Sequence, residues 1–242
     1  MSPDNRSWFI PTGSWQPPYT QPSQRIVHPF RLPNHVSDEE GAMLEPLAVA
    51  VYSCRRAEVT QGSRVLILGA GPIGLVSLLT AKAMGAGDIC ITDINENRLA
   101  FAKELGANFT LNVQGLKPSE VAQKICKLIP SPPSVIIECS GADSSYQAGI
   151  LASAPRGIMV TVGRGNYDVT LPLTIAATKE MDIRGIFRYA NCYETALSMV
   201  SSGLVNLKPL ITHHFTIEEV HKAFHAAKDG LAVKVMIRVG KA

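Results

Sequence analysis

The stretch "VLILGAGPIGLVSLL" sets three glycines and a proline between two apolar runs, and it restricts the fold more than any other segment. The run before the glycines reads as a buried strand, and "GLVSLLTAKAMG" reads as a helix stopped at Gly85. Gly69, Gly71 and Gly74 follow the spacing G-x-G-x-x-G, which by itself is weak evidence. Here the string follows a strand and opens a helix. Asp93 ends the next strand, "DICITD", 19 residues beyond Gly74. Gly69 allows the tight turn, Gly71 lets backbone approach a pyrophosphate, and Gly74 lets helix and strand pack closely. The helix N-terminus then offers unpaired N–H groups and a partial positive charge to phosphates. Asp93 would accept hydrogen bonds from the adenosine ribose hydroxyls and would repel a 2′-phosphate, so NAD is favoured over NADP. A bare strand-to-helix turn is the simpler reading of the glycines, and strand, helix and acid in register argue against it. Arg98, five residues after Asp93, either flanks the ribose or lies solvated on its helix.

Strands and helices alternate around this loop. "ENRLAFAKELG" places Leu99, Ala102 and Leu105 on one face and ends at Gly106. "FTLNV" follows, then a helix with Val121, Ile125, Leu128 and Ile129 on one stripe. After a proline-rich turn come the strand "SVIIEC", a helix near 143–153, the strand "GIMVTVG", the strand "DIRGIF" and a helix across "NCYETALSMVSSG". Such alternation means a doubly wound parallel α/β sheet of the Rossmann type, with helices on both faces. Upstream, Ser37 and Glu40 form a capping box that opens a helix through about residue 56. Within it "GAMLEPLAVAVYSC" sets one carboxylate, Glu45, in an apolar run, where a buried charge would need a partner. Near the C-terminus, "TIEEVHKAFHAAKDG" carries a second box, Thr216 with Glu219, and an apolar face of Val220, Ala223, Phe224 and Ala227. "AVKVMIRV" closes the chain as a strand. Residues 1–33, including "SWQPPYTQPSQ", lack either periodicity and are expected to be poorly ordered.

The 242 residues are 46% apolar and 18% charged, with net charge +3 and no basic block. That balance excludes an electrostatic case for nucleic acid or an acidic membrane surface. The longest apolar run is too short to span a bilayer. A secretory leader is not legible either, so a cytoplasmic protein is expected. Cys54, Cys90, Cys126, Cys139 and Cys192 lie far apart and read as buried free thiols.

With these residues in hand, the chain from about His28 onward resembles the polyol (sorbitol) dehydrogenases of the medium-chain, zinc-containing alcohol dehydrogenase superfamily. The resemblance is carried by "LPNHVSDEEGAMLEPLAVAVYSCRRAEV", "VLILGAGPIGLVSLLTAKAMGA", "ITDINENRLAFAKELGA", "IIECSGADSSYQAGI", "DIRGIFRY" and "VNLKPLITHHF". It implies an oxidoreductase converting a polyol and NAD to a ketose and NADH. It also implies that Ile73, Asp93 and Arg98 join the glycine loop in holding NAD, with Val162, Gly163, Arg164, Ile186, Phe187 and Arg188. Arg188 and Tyr189 match residues contacting the polyol. Glu45 matches a catalytic glutamate beside the zinc, which would supply its partner. Assembly through the nucleotide domain is a further family property, so a homo-oligomer or a hetero-oligomer with full-length subunits is expected.

Two departures matter. Residues 162–165 read "VGRG" where the family leads one to expect "VGLG", so Arg164 stands in for an apolar residue beside the nicotinamide. The larger one concerns zinc, whose ligands come in the family from a Gly-Ile-Cys-Gly-Ser-Asp type stretch and a Gly-His-Glu stretch; neither string occurs here. On this reading 1–33 is poorly ordered, with no resemblance over 1–27, and 61–190 is the NAD-binding domain. Residues 34–60 and 191–242 are remnants of a GroES-like catalytic domain, whose Met43, Leu44, Leu47 and Val49 and last strand would face a missing lobe. Zinc can acidify a bound hydroxyl by some nine units, on the order of 12 kcal/mol, against ~10²–10⁴-fold from a general base alone. The chain is therefore expected to bind NAD and not to turn over by itself, with no metal ligand assigned. Glu45, His28, His35 and Cys54 are the candidate donors for a rebuilt site, together with the C-terminal histidines, of which His213 and His214 read as a solvated strand end. His221 and His225 sit four apart on a predicted helix, where a solvated edge is favoured over chelation.

Overall fold

The computed structural model describes residues 7–8, 30–230 and 232–240. A two-residue antiparallel pair joins β1 (Ser7–Trp8) to β2 (Phe30–Arg31); most of the stretch expected to be poorly ordered lies outside the described residues.

The first capping box forms as expected. The Glu40 carboxylate accepts the Ser37 N–H at 3.0 Å and the Ser37 hydroxyl accepts the Glu40 N–H at 3.2 Å. The single helix expected over 37–56 is instead two, α1 (Asp38–Ala42) and α2 (Leu44–Arg56), broken at Met43. Pro46 explains the break. It has no N–H to give the carbonyl four residues back, at Ala42, and its ring would crowd that carbonyl.

Strand and helix then alternate through β3 (Arg64–Leu68), α3 (Pro72–Ala83), β4 (Asp88–Asp93), α4 (Glu96–Glu104), β5 (Phe109–Asn112), α5 (Pro118–Leu128) and β6 (Val135–Glu138). The alternation continues through α6 (Asp143–Ala152), β7 (Ile158–Thr161), α7 (Leu173–Thr178), β8 (Asp182–Gly185) and α8 (Tyr193–Ser201). Helix α7 was not anticipated, because six residues cannot display a helical period. The six strands form one parallel sheet in the order β5-β4-β3-β6-β7-β8, the doubly wound arrangement the sequence predicts. Alternate residues of each strand feed two cores. Val65, Ile67, Ile89 and Ile137 face one, while Leu66, Leu68, Cys90 and Ile136 face the other.

The first core also takes in α2. Met43, Leu44 and Leu47 are no more than 1% exposed, packed with residues of α3 and α8. They do not face open space as the sequence reading expected; Val49 alone of that set is partly open. The stripe on α5 is narrower than expected, because Leu128 points outward at the C-terminal end while Val121, Ile125 and Ile129 are buried.

The last elements, β9 (Ile211–Thr216), α9 (Val220–Lys228) and β10 (Lys234–Arg238), make a separate two-stranded parallel sheet with one helix. Thr216 and Glu219 form their capping box over one 3₁₀ turn before α9. Of the expected apolar face only Ala223 is buried. Phe224 is 70% exposed, because the small sheet covers one narrow stripe of α9.

Candidate functional site

In a parallel sheet the loops that follow the strands gather at one edge, and ligands settle where the chain leaves in opposite directions. Here that point lies between β3 and β6. Gly69 has φ +101°, and its N–H donates to the Thr92 carbonyl at 2.8 Å. A Cβ on Gly74 would collide with the Gly69 carbonyl oxygen, so helix α3 can sit this close to β3 only with glycine there. Gly71 caps α3 without a side-chain hydrogen bond, and a Cβ there would meet nothing within 4 Å. The first N–H groups of α3 thus have no side-chain cap. A cavity of about 370 Å³, lined among others by Gly69, Gly71, Asp93, Arg98, Ser140 and Ala142, lies beside them. Size, unused donors and the absence of side chains suit a dinucleotide phosphate.

Asp93 is 8% exposed at the end of β4. Its carboxylate accepts the Ala70 N–H at 2.7 Å and the Asn95 N–H at 2.9 Å. Each oxygen keeps a second lone pair for a ligand. Arg98 lines the same cavity, its guanidinium 4.0 Å from the Asp93 carboxylate and its side chain 37% exposed.

The loops after β6 and β7 interlock around a residue the sequence reading did not single out. Glu138 ends β6 fully buried, and its carboxylate accepts the Ser140 N–H at 2.9 Å, the Ser140 hydroxyl at 2.5 Å and the Gly141 N–H at 3.0 Å. Burial pushes this carboxyl above the usual range, against the pull of those bonds and of one from Tyr146. A Cβ on Gly163 would lie 2.7 Å from the Glu138 carboxylate, and one on Gly165 would collide with the Gly141 carbonyl oxygen. The Val162 and Gly163 N–H groups both donate to the Glu138 carbonyl at 2.8 Å. The signal was a charge closing an apolar strand, "SVIIEC", the same anomaly that drew attention to Glu45.

Beyond these loops, Phe187 is 53% exposed after β8, beside Ile186 and Arg188. The guanidiniums of Arg164 and Arg188 both lie over its ring, 5.4 and 5.8 Å from the centroid. Tyr189 packs edge-on against Tyr193, with centroids 5.0 Å apart and hydroxyls 3.4 Å apart. The Tyr193 phenol is pushed well up by burial first, then by the Tyr189 hydrogen bond and by the negative charge of Glu45.

Glu45 itself corrects the sequence reading. It is exposed, not buried: α2 turns Leu44, Leu47, Ala48 and Val51 inward and leaves position 45 on the outer side. A solvated carboxylate needs no partner. With Ile73, Val76, Leu210 and Lys234 it lines a smaller cavity of about 210 Å³.

The donors weighed for zinc do not converge. Cys54 is buried with its thiol pushed up to about 12, and His35 makes a 3.0 Å contact with the Ser201 carbonyl. His28 lies outside the described residues. His214 pairs with Glu39 at 3.0 Å in the middle of β9, and His221 and His225 stand exposed on α9. Among the described residues no three His, Cys, Asp or Glu side chains gather closely enough to hold a metal ion, so the donor set does not fit zinc. The expectation of five buried thiols holds at Cys54, Cys90 and Cys192 and fails at Cys126, which is exposed on α5, while Cys139 is half-buried.

A family model described as zinc-binding dehydrogenase matches residues 72–202. Sorbitol dehydrogenase of Bos taurus is 51% identical over 209 residues, 86% of this chain and 59% of that protein. The chain thus spans about three-fifths of the length of the curated relatives it matches. Among solved structures, 2R,3R-butanediol dehydrogenase from Bacillus subtilis superposes with a TM-score of 0.81 at 27% identity, over 88% of this chain and 61% of that one. A protein described as a short chain alcohol dehydrogenase from Escherichia coli, solved in complex with NADH, gives 0.79 at 25% identity, over 87% and 62%. Among the described residues no helix is long and apolar enough to cross a membrane.

Proposed function

Because the chain belongs to the zinc-binding dehydrogenase family, we propose that it is a sorbitol-dehydrogenase-like oxidoreductase chain that binds NAD and does not oxidise a polyol by itself. The observation that carries the first half is the cavity at the β3–β6 crevice, with Asp93 at one side and the side-chain-free turn of Gly69 and Gly71 at the other. Asp93 and Arg98 would hold the adenosine ribose, and the first turn of α3 the phosphates. The loops of Val162, Gly163, Arg164, Ile186, Phe187 and Arg188 would flank the nicotinamide. NAD supplies the hydride acceptor. Glu45, Arg188 and Tyr189 are the groups available to a polyol or ketose.

The second half rests on the side chains present. The described donors do not assemble a zinc site, and the raised phenol of Tyr193 keeps its proton at neutral pH, which makes it a poor base. The test combines NADH titration by fluorescence with an assay for sorbitol-dependent NADH formation. Saturable NADH binding without turnover is expected. Turnover that a zinc chelator abolishes would overturn the inactivity, and absence of NADH binding would overturn the cofactor assignment.

One feature supports a second reading, a subunit that pairs with complete relatives or with itself. Strand β8 is one of the two outer strands of the six-stranded sheet, and Ile183 on it is 38% exposed, as Leu173 and Ile175 of α7 are exposed too. Unpaired edges of this kind invite strand addition. Co-purification of this chain with a complete subunit, with activity falling as it is added, is the expected result. A cytoplasmic location fits five unpaired thiols, which a reducing compartment preserves.

A further inference from the structure

Glu138 is fully buried at the carboxyl end of β6 and does not itself line the cavity. Burying a carboxylate is costly unless its lone pairs are filled, and no lysine, arginine or histidine pairs with it among the described residues. Backbone and hydroxyl donors fill them instead. One carboxylate oxygen accepts the Ser140 N–H, the Ser140 hydroxyl and the Gly141 N–H, and the other accepts the Gly141 N–H as well, at 3.1 Å. Tyr146 on α6 adds a further bond. The carboxylate thus fixes the turn after β6 from beneath.

That turn sets the place of the next loop. Gly141 holds a left-handed backbone, φ +73°. A Cβ on Gly163 would collide with the Gly141 nitrogen and lie 2.7 Å from the Glu138 carboxylate, and one on Gly165 would collide with the Gly141 carbonyl oxygen. Backbone packed this closely passes a displacement on, because no side chain lies between the loops to absorb it. Asp93, at the other side of the cavity, takes its bonds from Ala70 and Asn95 and does not share this brace.

We infer that Glu138 is a positioning residue for the nicotinamide half of the dinucleotide: its carboxylate holds the turn at Gly141 against which the loop of residues 162–165 is seated. The inference deepens the proposed function and rests on it for the identity of the ligand. The adenosine half, held from Asp93 and the first turn of α3, does not need Glu138.

Isothermal titration of the full chain with NADH and with ADP-ribose, which lacks the nicotinamide, tests it. The wild type is expected to bind NADH about ten-fold or more tightly than ADP-ribose. In Glu138→Gln one acceptor oxygen becomes an NH₂ group, which cannot accept the Gly141 N–H. The preference for NADH should fall to about two-fold or less, with ADP-ribose affinity changed by less than about two-fold. Tyr146→Phe keeps the carboxylate and removes one bond to it, so it should lower the preference by about three-fold and decides the matter should the glutamine variant not fold. Val135→Ala, buried at the other end of β6, should lower the melting temperature and leave the preference intact. Equal wild-type affinity for the two ligands, an unchanged preference in either Glu138→Gln or Tyr146→Phe, or an equal fall in Val135→Ala would overturn the inference. So would a parallel loss of both ligands in the Glu138 variant. A wild type that binds neither ligand would instead sink the cofactor reading, and the inference with it.

Discussion

Asp93 accepts backbone N–H groups from Ala70 and Asn95, so it shapes the turn as well as lining the cavity. Truncation in Asp93→Ala leaves both donors without their acceptor. A buried donor left unmatched costs about 1–3 kcal/mol, so a stability loss of about 2 kcal/mol is expected in urea denaturation, together with weaker NADH binding. A loss of affinity with full stability would show that the carboxylate serves the ligand only. Glu138 makes the opposite case. Its carboxyl is raised by burial above its ordinary 4.5, so the folded state holds this proton more tightly than the unfolded state. The stability it contributes is present below that value and fades as pH rises from there towards the shifted one. The stability of the wild type minus that of Glu138→Gln should fall with increasing pH over this window and then level off. A difference that rises with pH would mean that the bonds from Ser140 and Gly141 outweigh the burial.

Among the elements, α2 shows best how packing redistributes roles. Its apolar residues were legible in the sequence; their destination was not, because periodicity reports a face and not what covers it. In the fold that face meets α3 and α8, so α2 belongs to the core of the six-stranded sheet. Leu47→Ala should therefore cost about 2–5 kcal/mol and shift the whole unfolding transition of the sheet, read by circular dichroism in denaturant. A small early transition with the main one unmoved would make α2 a separate unit. The two-helix form of this segment follows from Pro46, a signal present in the sequence.

On the scale of the whole molecule, a six-stranded sheet covered on both faces stands beside a two-stranded one covered by a single helix. Two strands are marginal by themselves, and β9 alternates between half-buried and exposed residues along its length. Native-state hydrogen exchange should show β9 and β10 opening well before β3, β4 and β6. Equal protection throughout would mean that the small sheet is locked to the rest by contacts stronger than its burial suggests. The outer strand β8 and the exposed Phe224 belong to the same scale, since each gains cover only from another chain or segment.

Local chemistry wrote the sheet and the glycine turn at its carboxyl edge into the sequence. A strand, a tight glycine turn, a helix and an acid at the next strand end are neighbours along the chain, and their spacing fixes their geometry. The interlocked glycines at 141, 163 and 165, the burial of Glu138, the exposure of Glu45 and the meeting of two arginines on Phe187 were decided by the tertiary structure. Each depends on which distant segment arrives opposite, a matter of packing that no period or motif along one chain encodes.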